Sequence, residues 1–214
     1  MSIVTKKPPI KETVGAQYIC FNTMSAKGEW TSTFAPEVYK TETVKSVKVT
    51  DTTDEADVRA SGKKYYTNTT VIESEIEVEQ IAFPEEDLAK MRGDLVDEGG
   101  LVLSGGKRER PYFAYGKVVE NIDGTVRYDW YPKCKLTENS DSTKTSEDKF
   151  KEQTDTIKIK AEPFDETGSV VARVFSGDNF PKGLTEDKFF AKPIMDKAGL
   201  AAATAEEQPQ NNAE

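Results

Sequence analysis

Glu73, Glu75, Glu77 and Glu79 occupy every second position of the stretch VIESEIEVEQ (residues 71–80), with Ile72, Ser74, Ile76 and Val78 between them. Carboxylates are the groups of acid–base catalysis and cation binding, and a pair of them can hydrolyse a glycosidic bond. Nothing in this row singles out such a pair. In a strand, successive side chains point to opposite faces, so the stretch predicts one acidic face and one mostly apolar face. Four like charges along one face repel each other, which calls for a compensating role.

Other groups fail the patterns they approach. In GGLVLSGGKR (residues 99–108), Lys107 follows Gly106 as in a phosphate-cradling loop. Leu101 stands where the first glycine belongs, however, and Arg108 replaces the magnesium-binding Ser or Thr. A flexible bend is the expectation there. Asp51, Asp54 and Asp57 in DTTDEAD lack the spacing and the glycine of a calcium loop, and the segment reads as a solvated turn. Histidine is absent. That excludes Ser-His-Asp and Cys-His catalysis and the commonest metal ligand. Cys20 and Cys134 are too few for a disulfide framework, and no pairing follows from their positions. Asn68, Thr69 and Thr70 form a glycosylation triplet that means little without a leader segment. Trp30, Tyr112, Tyr115, Tyr128, Trp130 and Tyr131 could stack on sugars or bases, but aromatic residues are common in sheets. No catalytic, cofactor-binding or metal site is expected, and the chain does not read as an enzyme.

The elements that must position these residues are mostly strands. The chain has 214 residues, a length suited to one sizeable domain, and a net charge of −9, which argues against bulk attraction to nucleic acid. No apolar run approaches the ~20 residues needed to span a bilayer. The N-terminal MSIVTKKPPIKET has no apolar core, so no secretory signal is expected. TVKSVKVTD (43–51) reads as a strand. KKYYTNTTVIESEIEVEQIAF (63–83) reads as a long one, bent in its Thr-rich part. PYFAYGKVVE and TVRYDWYPKCKL flank NIDG as a β-hairpin, with Asn121, Asp123 and Gly124 in the turn. DTIKIKAEPF (155–164) and SVVARVFS (169–176) are further strands.

One helix is expected at about 84–92, with Pro84 in its first position, Glu85, Glu86 and Asp87 in the first turn and Lys90 and Arg92 in the last. Gly93 stops it, and Leu88 and Met91 face inward. TEDKFFAKP carries a weaker helical signal that ends at Pro193. Residues 1–14 are expected to form an N-terminal arm and 15–195 a single β-rich domain. Thr137–Gln153 reads as a long polar loop. From 196 to 214 the chain lacks bulky apolar residues and is expected to be a disordered tail.

Read in order, these pieces resemble the major tail protein family of long-tailed bacteriophages with non-contractile tails. The resemblance rests on FPEEDLAKMRGDLVDEGGLVLS, then RPYFAYGKVVENIDGTVRYDWYPKCKLTE, then TKTSEDKFKEQTDTIKIKA. SVKVTDTTDEADVRASGKKYY and the glutamate strand are similar to the family's first half. The likeness runs from about Gly15 to Pro193 and lies in the succession of segments, because the family has no catalytic signature.

The resemblance implies a tail tube subunit: a β-sandwich or barrel-like domain with one flanking helix. Such subunits form hexameric rings that stack into the conduit for viral DNA. The partners implied are further copies of the chain, the tape measure, tail terminator and distal tail proteins, and DNA that passes without specific binding. No membrane partner or cofactor is implied. The location would be the virion tail, after synthesis in the host bacterial cytoplasm. On this reading Thr143, Lys144, Thr145, Asp148 and Lys149 belong to a loop that orders against the next ring.

Two readings of the glutamates then stand side by side. If Glu73, Glu75, Glu77 and Glu79 face the channel, six copies bring about 24 carboxylates to each ring, repelling a polyanion that carries one charge per ~1.7 Å of axis. Screening confines that repulsion to ~8 Å. Alternatively Lys45, Lys48, Lys158 and Lys160 pair with them on a solvated outer face, at roughly 0.2–1 kcal/mol per cross-strand pair. Two other functions fit a chain of this kind: a β-rich surface or secreted interaction module of adhesin or pilus type, and a two-carboxylate glycosidase.

Overall fold

Residues 8–97, 99–106, 108–140, 153–177 and 179–205 are described by the computed structural model. The chain is mainly β and its sheets are antiparallel. The largest sheet has eight strands: β1 (Lys11–Phe21), β2 (Tyr39–Thr41), β3 (Val44–Ala60), β4 (Lys63–Gln80), β7 (Phe113–Asn121), β8 (Val126–Ser140), β9 (Asp155–Ala161) and β10 (Ala172–Phe175). Its order is β2-β1-β7-β8-β9-β4-β3, with β10 also on β8. Two short strands, β5 (Leu95–Val96) and β6 (Val102–Leu103), form a separate ribbon.

Strand β8 organises the sheet. Trp130 pairs with Gly116 of β7 and Ala172 of β10, while Cys134 pairs with Phe113 of β7 and Ala161 of β9. A strand has two edges, so β7 takes one and β10 and β9 share the other in succession. Among the described residues no pairing joins β2 to β3, and the sheet stays open.

Alternation along β1, β7 and β8 divides the apolar residues between two cores. Ile19, Phe113, Tyr115 and Tyr131 share one with Ile76 and Val78 of β4 and Ile157 and Ile159 of β9. The sheet therefore curls until β1 and β4, which are not neighbours within it, meet. Gln17 Nε2 donates to Gln80 Oε1 across that gap at 2.6 Å. The other core holds Tyr18, Ala114, Val118, Tyr128 and Trp130 under Phe189, Phe190 and Ile194.

Helix α1 (Glu85–Arg92) covers the first core with Leu88 and Met91, both buried as expected. Gly93 ends it in the left-handed conformation at φ 70°, its amide reaching the carbonyls of Ala89 and Lys90. Pro84 is the N-cap residue and not the first helical one, so the helix begins one place later than expected, at Glu85. Two more helices accompany it, one of them on the weaker helical signal of TEDKFFAKP. In α2 (Glu186–Phe190) the Thr185 side chain accepts from the Lys188 amide, and Phe189 and Phe190 are buried.

The third helix, α3 (Lys197–Thr204), corrects the first part of the expected disordered tail, and residues 206–214 of it lie outside the described residues. Asp196 caps it by accepting from the Gly199 amide at 2.6 Å, and Leu200 and Ala203 pack on the second core. Alanine needs no bulk to be helical, since it loses no side-chain entropy, and one capped end with two apolar contacts is enough here.

Three other boundaries move. DTTDEAD is strand, not turn, because every residue from Thr53 to Asp57 pairs with the Thr-rich stretch of β4. Lys11–Val14 belong to β1, so the N-terminal arm is shorter than 14 residues. Thr137–Ser140 continue β8, held by Glu138, Asn139 and Ser140 opposite Lys158, Ile157 and Thr156.

Candidate functional site

The four glutamates lie on one face of β4, and Ser74, Ile76, Val78 and Gln80 lie buried on the other. Glu77 sits between Lys48 of β3 and Lys158 of β9, and Glu75 between Thr50 and Lys160. Glu73 forms an ion pair with Lys160 Nζ at 2.5 Å, and Glu79 accepts from Ser46 Oγ at 3.2 Å. Lys158 Nζ turns instead to Glu138, at 2.7 Å. Hydrogen bonds to Glu138 and Glu73 raise the pKa values of Lys158 and Lys160 respectively, so both are charged at neutral pH. Lys45 falls within a register shift between Val44 and Ser46. The face is thus a carboxylate row laced with lysines on the two adjacent strands.

That row runs into a projecting hairpin. β9 pairs with β4 from Gln80 only as far as Ser74, and beyond that point β3 and β4 pair with each other alone among the described residues. About ten residues of each strand, ~30 Å, extend this way. The register shifts where Thr52 and Thr53 face Glu73 and Val71, leaving Ile72 as the extra residue at the predicted bend. Ser61 (φ 53°) and Gly62 (φ 76°) close the tip, both with the positive φ that two-residue hairpin turns need. Tyr65 is 82% and Tyr66 59% exposed, and Val71 and Ile72 are also open.

A charged row crosses the other end of the sheet, and none of the sequence-based expectations included it. Register places Gln17, Lys117, Asp129 and Arg173 side by side on β1, β7, β8 and β10. Asp129 is fully buried and is met by Arg173 Nε at 2.5 Å, Arg127 Nη2 at 3.1 Å and Lys117 Nζ at 3.7 Å. Burial lowers the Lys117 pKa to about 8, against the raising effect of Asp129. Arg127 Nε, Gln17 Oε1, Gln80 Nε2 and the Tyr115 hydroxyl are buried without a partner among the described residues. The available signal was the alternation Arg127, Asp129, Tyr131 in VRYDWY, which places a cation and a carboxylate on the face that Tyr131 turns inward.

Thr143, Lys144, Thr145, Asp148 and Lys149 lie outside the described residues, as does Lys107. Asp51 accepts a hydrogen bond from Ser74 Oγ and Asp57 pairs with Lys64, so neither belongs to a cation cluster. Among the described residues no group of His, Cys, Asp and Glu is placed to hold a metal ion. No helix among them is long and apolar enough to cross a membrane. Cys20 and Cys134 are both buried as free thiols, but in different cores. A groove of about 410 Å³ between Ser32–Pro36 and Ala191–Met195 brings no acid–base pair together.

The acidic strand thus runs into a hairpin whose two outer edges have no strand partner among the described residues. No family model matches the sequence, and no curated protein matches it.

Proposed function

We propose that the chain is a structural, self-assembling protein: the major tail tube subunit of a bacteriophage with a long non-contractile tail. On this reading the curled sheet is the β-sandwich of such a subunit, and the protein has no enzymatic activity. Hexameric rings stack into the tube, capped and gauged by terminator, distal tail and tape measure proteins, and viral DNA passes through it.

The observation that carries the reading is the outer half of the β3–β4 hairpin. A lone two-stranded ribbon is marginally stable in water, and two open edges are templates for pairing. Thr and Tyr, with Val71 and Ile72, dominate β4 there, giving high strand preference with no core to bury it in. Pairing with neighbouring copies removes the exposed edges. A contact between two different surfaces closes into a ring when its rotation permits, while contacts from ring to ring do not close and yield a filament. The acidic row that continues the hairpin would then line the channel, where a wall that repels DNA suits a conduit.

The test is negative-stain electron microscopy of the purified chain across a concentration series in physiological salt. Rings or hollow tubes of uniform diameter are expected. Monomers alone throughout the series would turn the assignment towards a β-rich surface interaction module.

A further inference from the structure

Asp129 does not use up the donors around it. Its Oδ1 takes Arg173 Nε at 2.5 Å, while Oδ2 is approached by Arg127 Nη2 at 3.1 Å, Arg173 Nη2 at 3.4 Å and Lys117 Nζ at 3.7 Å. Only the two contacts of Arg173 are hydrogen bonds; the side chains of Lys117 and Arg127 make none among the described residues. A lysine ammonium carries three N–H donors and a guanidinium five. The Lys117 side chain is 6% exposed, so water reaches it poorly, and Arg127 Nε is buried without an acceptor among the described residues. Charge is unbalanced in the same sense. Of the groups whose charge acts on Lys117, Arg127, Arg173 and Lys11 are positive and Asp129 alone is negative. The side chains of Arg127 and Arg173 are 24% and 40% exposed, which leaves the cluster open on one side. Buried polar groups are paired as a rule, and a buried charged donor without an acceptor points to a water or an ion that belongs beside it.

We propose that Lys117, Arg127 and Arg173 form an anion site that takes an oxyanion of the phosphate class from the open side of the cluster. Three cations against one carboxylate leave a surplus of two positive charges, which selects an anion over water and matches a phosphate dianion. The planar fork of Arg127 offers parallel donors to two oxygens of such a group, and Lys117 adds a point charge. Asp129 is a positioning residue here: it fixes Arg173 by two hydrogen bonds and gathers Arg127 and Lys117 about one oxygen. The site lies within one chain and goes beyond the self-assembly reading, since nothing in it requires a second copy.

Calorimetric titration of the full chain with inorganic phosphate, at neutral pH and constant ionic strength, tests the site. Saturable binding of one phosphate per chain is expected, tighter than that of acetate under the same conditions. Lys117→Met removes one cation, and Arg127→Lys keeps the charge but loses the fork; each should weaken binding about tenfold. Arg127→Lys leaves the Arg173–Asp129 hydrogen bonds in place, so it serves as the test if Lys117→Met does not fold. Lys27→Gln, exposed in the connection after β1, should bind as the wild type does. Bound phosphate should also raise the Lys117 pKa from about 8 by about 1–3, read from the lysine side-chain NMR signals. Absence of saturable binding overturns the site, as does a Lys117 titration that phosphate leaves unmoved. Variants of Lys117 and Arg127 that bind as the wild type does, or an equal loss in Lys27→Gln, would show unspecific attraction to surface charge and overturn it as well.

Discussion

Arg173 and Asp129 face each other across β10 and β8, and the guanidinium donates from Nε to Oδ1 at 2.5 Å and from Nη2 to Oδ2 at 3.4 Å. Lys117 and Arg127 approach the same carboxylate. A buried charge is tolerated when paired and is costly when its partner is removed. Asp129→Asn is therefore expected to destabilise the chain by ~3–5 kcal/mol, most of it from the enclosed Lys117, since the arginines retain contact with water. Urea unfolding measures the loss. The double variant Asp129→Leu/Lys117→Met should recover part of it, because both desolvated charges are then gone.

Lys117 also gives a pH signature. Its folded pKa of about 8 lies below the ordinary 10.5 because burial disfavours the ammonium. Between those values the unfolded chain binds a proton that the folded chain does not, so this group makes stability rise with pH. Below about pH 8 both states are protonated and the contribution is flat. The stability difference between wild type and Lys117→Met should climb above pH 8 by at most about 1.4 kcal/mol per pH unit. A difference that is flat up to about pH 10 would exclude the shift.

Gly116 sits beneath the aromatic layer of the second core. A Cβ there would lie 2.7 Å from Phe190 Cε1 and 3.0 Å from Trp130 Cε3. Phe190 has little freedom to move, because its ring stacks on Tyr18 at 3.9 Å with the planes 2° apart. Gly116→Ala is expected to cost about 1–3 kcal/mol through overpacking. A melting temperature equal to that of the wild type would show that the layer yields more easily than this packing allows.

The two thiols should be inert in the folded chain. Burial pushes the pKa of Cys20 up to about 11, and that of Cys134 higher still. The thiolate is the reactive form, and a rise from 9 to about 11 cuts its population about a hundredfold before access is considered. Iodoacetamide at about pH 8 should label neither cysteine in buffer and both in concentrated urea, read by intact mass. Prompt labelling of either in buffer would mean that its core opens on the timescale of the reaction.

Local periodicity made much of this fold legible. The i, i+2 pattern of Glu73 to Glu79, the turn at Asn121–Gly124 and the capped helix ending at Gly93 are each decided by residues close in sequence. What stayed hidden depends on distant partners. Asp51, Asp54 and Asp57 look like a turn until β4 lies alongside them. Strand β1 shows no strong alternation, since Gln17 and Tyr18 are both buried, one against Gln80 and the other under Phe190. The cation cluster joins β7, β8 and β10, and its members look ordinary until register sets them in one row. The short helix α3 needed the second core to dock on. The acidic face was visible from its spacing alone, but spacing says nothing of what it faces.

The double substitution Glu75→Lys/Glu77→Lys separates the two readings of that face. A lysine at position 77 would stand between Lys48 and Lys158, and one at position 75 opposite Lys160, so like charges would meet across both neighbouring strands. Each such contact costs on the order of 0.2–1 kcal/mol, a loss the folded chain should survive. Glu75→Gln/Glu77→Gln removes the carboxylates without creating those contacts and serves as the control. If the row lines a channel, the lysine variant should still form tubes of normal diameter but slow or block DNA ejection, because a basic wall binds the polyanion by releasing counterions. That slowing should ease as salt is raised, and the glutamine variant should eject near the wild-type rate. If the row is a solvated outer face, ejection should be unchanged in both variants wherever tubes form. Loss of folding or assembly in the lysine variant, with ejection normal in the glutamine variant, would count against the channel role, since the row's charge would then act within the subunit and not on DNA.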